Sequence, residues 1–188
     1  MEVYKRIIEI IDANLIYCFP PLILILLLIR LLFKNKFKTK EALNIVRWLI
    51  IAYAAITTSF FIIGMVFIPE EFAFTNRATG SYWFASWLML IAAVVMPFTL
   101  LFKKLASKFL YVLLISILLK IGSYFERFVI LVTSLHRDYT PQAANSYLPD
   151  FAIYITMVFV QGLVLAILLL GIVEISYQMK LRSQRSKV

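Results

Sequence analysis

The run FLYVLLISILLKIGSYFERFVILVT, residues 109–133, is long and oily enough to cross a bilayer, yet it carries Lys120, Glu126 and Arg127. A charge near the bilayer centre costs at least ~2.5–3.5 kcal/mol on insertion scales. Three ionisable residues in one span are therefore not expected to be idle. The segment Ser134-Leu135-His136-Arg137-Asp138 follows directly. If the chain has a working site, this is where it is expected.

The rest of the chain is equally apolar. It has 188 residues, 63% hydrophobic and 15% aromatic, with a mean hydropathy of +0.91. Soluble domains run at about 45–50% apolar residues. An integral membrane protein is expected. Five glycines and six prolines leave little room for flexible linkers, so residues 1–188 read as a single transmembrane helical domain. The formal charge of +9 is read as topological, because no basic face with interleaved aromatics lies outside the spans. Nucleic acid is not an expected partner. Membrane lipid is. Cys18, the only cysteine, leaves no internal disulfide and no Cys-built iron–sulfur or zinc site in this chain. It reads as a small buried hydrophobe, and no metal site is expected.

Five stretches have spanning length, at about 14–33, 46–68, 82–102, 109–133 and 151–176. They lack the alternation of a membrane strand, so the fold class is all-α transmembrane, a five-helix membrane bundle. Pro20-Pro21 and Pro97 predict kinks in the first and third spans. Residues 1–13, with Val3, Ile7, Ile8 and Ile11 on one side, predict an interfacial amphipathic helix rather than a cleavable signal. Lys34, Lys36, Lys38, Lys40 and Arg47 follow the first span; Lys103, Lys104 and Lys108 follow the third; Lys180, Arg182, Arg185 and Lys187 follow the fifth. The other two connections hold only Arg77 and Arg137, against Glu70, Glu71, Asp138 and Asp150. The positive-inside rule then places the amino terminus outside and the carboxyl terminus in the cytoplasm. Tyr82, Trp83, Trp87, Tyr147 and Tyr154 fall near the outer interface and read as an aromatic belt.

On a straight helix, Ser116, Lys120, Ser123 and Arg127 share a sector of about 60°, with Glu126 about 100–120° away. Lys120 comes ~16 Å along the span, close to mid-membrane. Such a stripe must face other helices or water rather than lipid. Carboxylates and an imidazole in this setting suit proton handling. Glu126, His136 and Asp138 are the candidate carriers, while Arg127 and Arg137 stay charged and hold geometry or an anionic group. The plain alternative is equally open: Glu126 neutralises Arg127, Lys120 or a charge on a neighbouring chain as an assembly device. Arg30, Glu174, the Thr57-Thr58-Ser59 run and Gln161-Gly162 read as snorkelling, interfacial or packing residues.

Phe102-Lys103-Lys104, Ile115-Ser116-Ile117 and the string Phe125-Glu126-Arg127-Phe128 through Ser134-Leu135-His136-Arg137-Asp138-Tyr139 carry a family likeness. Over residues 80–141, about a third of the chain, the sequence resembles the polysulfide-reductase-like (NrfD-type) membrane subunits of alternative complex III, a bacterial quinol:electron-acceptor oxidoreductase. The likeness is to the carboxyl-terminal half of such a subunit. The family's other bundle, which holds its quinol-binding residues, has no counterpart here, and Lys120 stands where an amide would be expected.

The resemblance implies a multi-pass subunit of the bacterial inner membrane, working in a respiratory electron-transport complex with other membrane subunits and with iron–sulfur and cytochrome subunits as candidate partners. Lys120, Glu126, Arg127, His136, Arg137 and Asp138 would form its polar cluster, a path for proton translocation. No catalytic residue or cofactor ligand is expected in this chain alone; quinol would bind in the assembled complex. Two other readings stay open: an accessory, structural subunit of a respiratory or envelope complex, and an ion- or proton-translocator subunit.

Overall fold

Apolar runs without two-residue alternation satisfy their own backbone only as helices, and all regular structure among the described residues is helical. The computed structural model describes residues 2–34, 36–67, 78–80, 83–137 and 141–185, the side chains of residues 2, 5, 131, 134–137, 141–151 and 185 apart. Two compact units divide the chain: Met1–Val46 with Leu135–Val188, and Arg47–Ser134.

The first unit begins with α1, Glu2–Ile11. It runs into a wide turn, Asp12–Ile16, in which the Tyr17 N–H reaches back five residues to the Asp12 carbonyl at 3.0 Å. Helix α2, Phe19–Leu32, follows, with Pro20 and Pro21 in its first turn. There the missing N–H groups cost no helical bond, so the prolines restart a helix rather than break one. The next helix, α3, runs Thr39–Phe67. It starts well before the expected boundary at residue 46 and so takes Arg47 into its body.

Helix α4, Trp83–Leu90, continues through a wide turn at Ile91–Val95, a helical step at Met96–Phe98 and a tight turn at Thr99–Leu101. Pro97 denies the Ala93 carbonyl its helical donor, and the wide turn lies directly upstream of it. Then come α5, Lys103–Ala106, α6, Phe109–Leu118, and α7, Ile121–Arg137. The last helix, α8, covers Pro141–Arg185. At 1.5 Å per residue it is ~67 Å long, more than twice a hydrocarbon core of ~30 Å.

Four of these stretches are long and apolar enough to cross a membrane: Arg6–Leu32, Thr39–Phe67, Trp83–Leu101 and Ala152–Gln184. A fifth crossing exists if the bent pair Phe109–Leu118 and Ile121–Ile130 counts as one span. This is a helical membrane protein. Its apolar stretches are buried over 39% of the first and only 11% of the last, so most of their surface is left to lipid or to other chains.

In the first unit α2 packs on α8. Cys18 Sγ donates to Gln161 Oε1 at 3.3 Å, and Gly162 lies against Pro21. Farther along, the Lys38 ammonium sits 4.3 Å from the centroid of the Tyr177 ring. Residue numbers rise together on both sides of the seam. The two helices therefore run parallel. Gly162 and Ala166 are buried one turn apart, a small-xxx-small pair that lets backbones approach. A Cβ at position 162 would stand 2.8 Å from Pro21 Cγ and 3.2 Å from the Leu22 nitrogen. Neither a proline ring nor a backbone atom can swing away.

Gly162→Ala is therefore expected to destabilise the protein by about 1–3 kcal/mol, the usual overpacking cost. Gly171→Ala, where a Cβ meets nothing within 4 Å, should lose nothing. Thermal melts of the two purified variants in one detergent check this pair. Equal melting temperatures would remove the close approach from the account.

Candidate functional site

Helix α6 buries Phe109, Val112, Ile115, Ser116 and Leu119, spaced three or four residues apart along one face. Ser116 Oγ donates to the Leu113 carbonyl at 2.7 Å. The helix then tightens, because the Lys120 N–H reaches only three residues back, to the Ile117 carbonyl at 3.2 Å. Helix α7 restarts at Ile121 on an axis 58° away, its ladder opened by the Tyr124 N–H donating to the Lys120 carbonyl at 3.0 Å. The straight register expected over residues 109–133 therefore does not exist. Ser116 belongs to one axis, and Ser123 and Arg127 belong to another.

Lys120 stands at the corner, half-buried. Its ammonium lies 5.2 Å from the centroid of the Tyr53 ring. Tyr53 is buried midway along α3, far from either end, where an interface aromatic would sit. The ring face carries negative charge density and takes over part of the lysine's lost hydration. Sequence reasoning missed Tyr53. The available signal was a tyrosine at the centre of an apolar span, outside any aromatic belt.

The other charges of α7 go elsewhere. Glu126 and Arg127 are exposed, within an exposed stretch that runs from Phe125 to Ile130. Among the described residues, no hydrogen bond or ion pair reaches the Glu126 carboxylate. His136 and Arg137 are the last residues of α7, and their side chains lie outside the described residues, as does Asp138 altogether. Of the expected cluster, the structure thus places Lys120 beside Tyr53 and leaves Glu126 and Arg127 on the surface of this chain.

Arg47 is the second residue that the sequence did not single out. Counted there as a loop charge, it is buried inside α3, with Nε donating to the Leu100 carbonyl at 2.8 Å and a second nitrogen 3.4 Å from the Leu101 carbonyl. Those carbonyls end the third apolar stretch, so the guanidinium caps a helix terminus and answers its partial negative charge. Nearby, Thr99 Oγ1 shares a 2.7 Å hydrogen bond with the Tyr111 hydroxyl.

Among the described residues, no three His, Cys, Asp or Glu side chains come together as a metal-binding group. Comparison with protein-family models and with curated proteins finds no match to this chain. The site offers two partly desolvated cations, Lys120 and Arg47, and one exposed carboxylate, Glu126, on an apolar helix.

If the ring steadies the lysine, Tyr53→Leu should cost more stability than Tyr53→Phe, by about 0.5–2 kcal/mol. Denaturation of both variants in detergent measures the difference. No difference would mean that the ring does not bear on Lys120.

Proposed function

We propose that this chain is a five-span, multi-pass subunit of the bacterial inner membrane, with its amino terminus outside and its carboxyl terminus cytoplasmic. It completes a helix bundle in a quinol-oxidising electron-transfer complex and contributes a proton path through Glu126, His136 and Asp138, with Lys120, Arg127 and Arg137 holding the charge balance. It has no catalytic residue of its own. Quinol and the redox centres belong to the assembled complex, with iron–sulfur and cytochrome subunits as partners.

Support for five crossings comes from parity. Helices α2 and α8 run parallel in the first unit, and both belong to apolar stretches that pass the length test for crossing. First and last crossings point the same way only when an odd number of crossings is made. If the bent pair α6–α7 dipped in and returned, the count would be four and α8 would run against α2. The basic residues after the first, third and fifth stretches agree with the same topology.

One observation carries the subunit reading: Glu126 is exposed on α7 within Ile121–Ile130, a segment apolar enough to lie in the membrane. A charge there would cost at least ~2.5–3.5 kcal/mol against acyl chains at mid-membrane. A neighbouring subunit or a water-filled path between subunits removes that cost. The string from Phe125 to Tyr139, which resembles the NrfD-type subunits, names the kind of assembly.

Two measurements test this reading. A carboxyl-terminal fluorescent-protein fusion should fluoresce in the cytoplasm, and an amino-terminal cysteine should react with an impermeant maleimide from outside. Termini on the same side would leave an even number of crossings. In the purified complex, Glu126→Gln should leave subunit composition intact while lowering quinol-driven turnover on the order of 10²-fold, as expected for loss of a proton-transfer group. Unchanged turnover in an intact complex would dispose of the proton path. Loss of the partner subunits would instead assign Glu126 to assembly.

A further inference from the structure

We infer that Phe33, Lys34 and residues 36–40, together with the turn of α8 around Tyr177 and Lys180, bind the phosphate headgroups of anionic membrane lipids. Lysine occupies every second position of this return, at 34, 36, 38 and 40, with Phe33 just before the first and Phe37 between the second and third. The backbone holds that spacing. Lys36 N–H donates to the Phe33 carbonyl and Thr39 N–H to the Phe37 carbonyl, both at 2.9 Å, and the Lys38 carbonyl receives the first N–H groups of α3. The Phe33 and Phe37 rings meet edge to face at 5.4 Å, and both are exposed. Lys38 rests over the Tyr177 ring, which ties the return to α8. Lys180, three residues on, lies within about 60° of Tyr177 around the helix.

The demands of the fold do not account for these lysines. Lys34 has a φ of 42°, the left-handed region that glycine occupies at least cost, at the end of α2. Lys38 takes the position before α3 where a Ser, Thr, Asp or Asn side chain would cap the helix. Lys40 sits in the first turn of α3, where the helix dipole disfavours a cation. Three of the four lysines thus stand against local preference. In sequence the four lysines face a single nearby acid, Glu41.

Position selects a lipid over a soluble anion. The return lies just past Leu32, where one crossing stretch ends, and just before Thr39, where the next begins. Leu31, Leu32, Phe33 and Phe37 are exposed beside the lysines. A hydrated anion gains nothing from those side chains, whereas a phospholipid sets its phosphate among the ammonium groups and its acyl carbons against the rings. Each lysine near an anionic surface is worth about fivefold in partition.

Native mass spectrometry of the full-length protein in neutral detergent, with phosphatidylglycerol or phosphatidylcholine of matched chains added, tests the inference. Wild type should retain phosphatidylglycerol preferentially. Replacing Lys34, Lys36, Lys38 and Lys40 together by Gln should lower that retention at least tenfold, while Lys103, Lys104 and Lys108 replaced by Gln should leave it unchanged. Should the fourfold variant fail to insert, two others serve. Tyr177→Leu keeps every charge and should weaken retention severalfold. Lys34→Gly relieves the backbone, so it should weaken retention while melting no lower than wild type. The inference is overturned by wild-type retention in these variants, by an equal loss in the Lys103, Lys104 and Lys108 control, or by displacement of the lipid with millimolar sn-glycerol 1-phosphate.

Discussion

A backbone carbonyl that loses its helical donor inside hydrocarbon has no water to turn to. This chain interrupts its helices repeatedly, at Asp12–Ile16, at Ile91–Val95, through Thr99–Leu101 and between Leu118 and Ile121. Side chains answer at the interruptions. Thr99 Oγ1 donates to the Met96 carbonyl, Ser116 Oγ to Leu113, and Arg47 to Leu100 and Leu101. Among the described residues no buried side-chain nitrogen or oxygen lacks a partner. Around Thr99–Leu101 and near the end of α6 the irregular backbone thus has polar side chains beside it.

Packing within the first unit obeys a different rule. Lipid tails are as apolar as leucine, so burying a leucine between helices gains little in a membrane. What distinguishes one helix seam from another is how closely backbones approach. Gly162 against Pro21 and Leu22, one turn before Ala166, provides that approach for α2 and α8. The Cys18 thiol and the Gln161 amide add a directional contact beside it. A single glycine thus sets how closely the two parallel helices of this seam approach.

Composition and hydropathy made the helices legible, because spanning length and the absence of alternation are properties of runs rather than of contacts. The prolines were legible as irregularities, although Pro20 and Pro21 open a helix instead of bending one. Hidden from the sequence was the break after Leu118. Nothing at Leu119 or Lys120 breaks a helix by its own propensity, and a Cβ at Gly122 would make only an ordinary contact, with Met89 Sδ at 3.9 Å. Arg47 was misplaced for a related reason: hydropathy sees a charge at the edge of an apolar run but not the carbonyls of another helix that receive it. Tyr53 was invisible because its partner lies in a span remote in sequence. Composition names the residues that need company, and only the fold says which company they keep.

The break and the lysine explain one another. In a continuous helix Lys120 would be an interior residue, with every nearby carbonyl engaged and no end of the dipole to meet it. Ending α6 at Leu118 places Lys120 just past a helix C-terminus, whose partial charge favours a cation. The Tyr53 ring supplies a second attraction from α3. Lys120 thus has two sources of stabilisation drawn from its own unit. Glu126 and Arg127 receive no such burial. The bent pair thus separates a cation settled at its corner from an acid turned to the surface of α7.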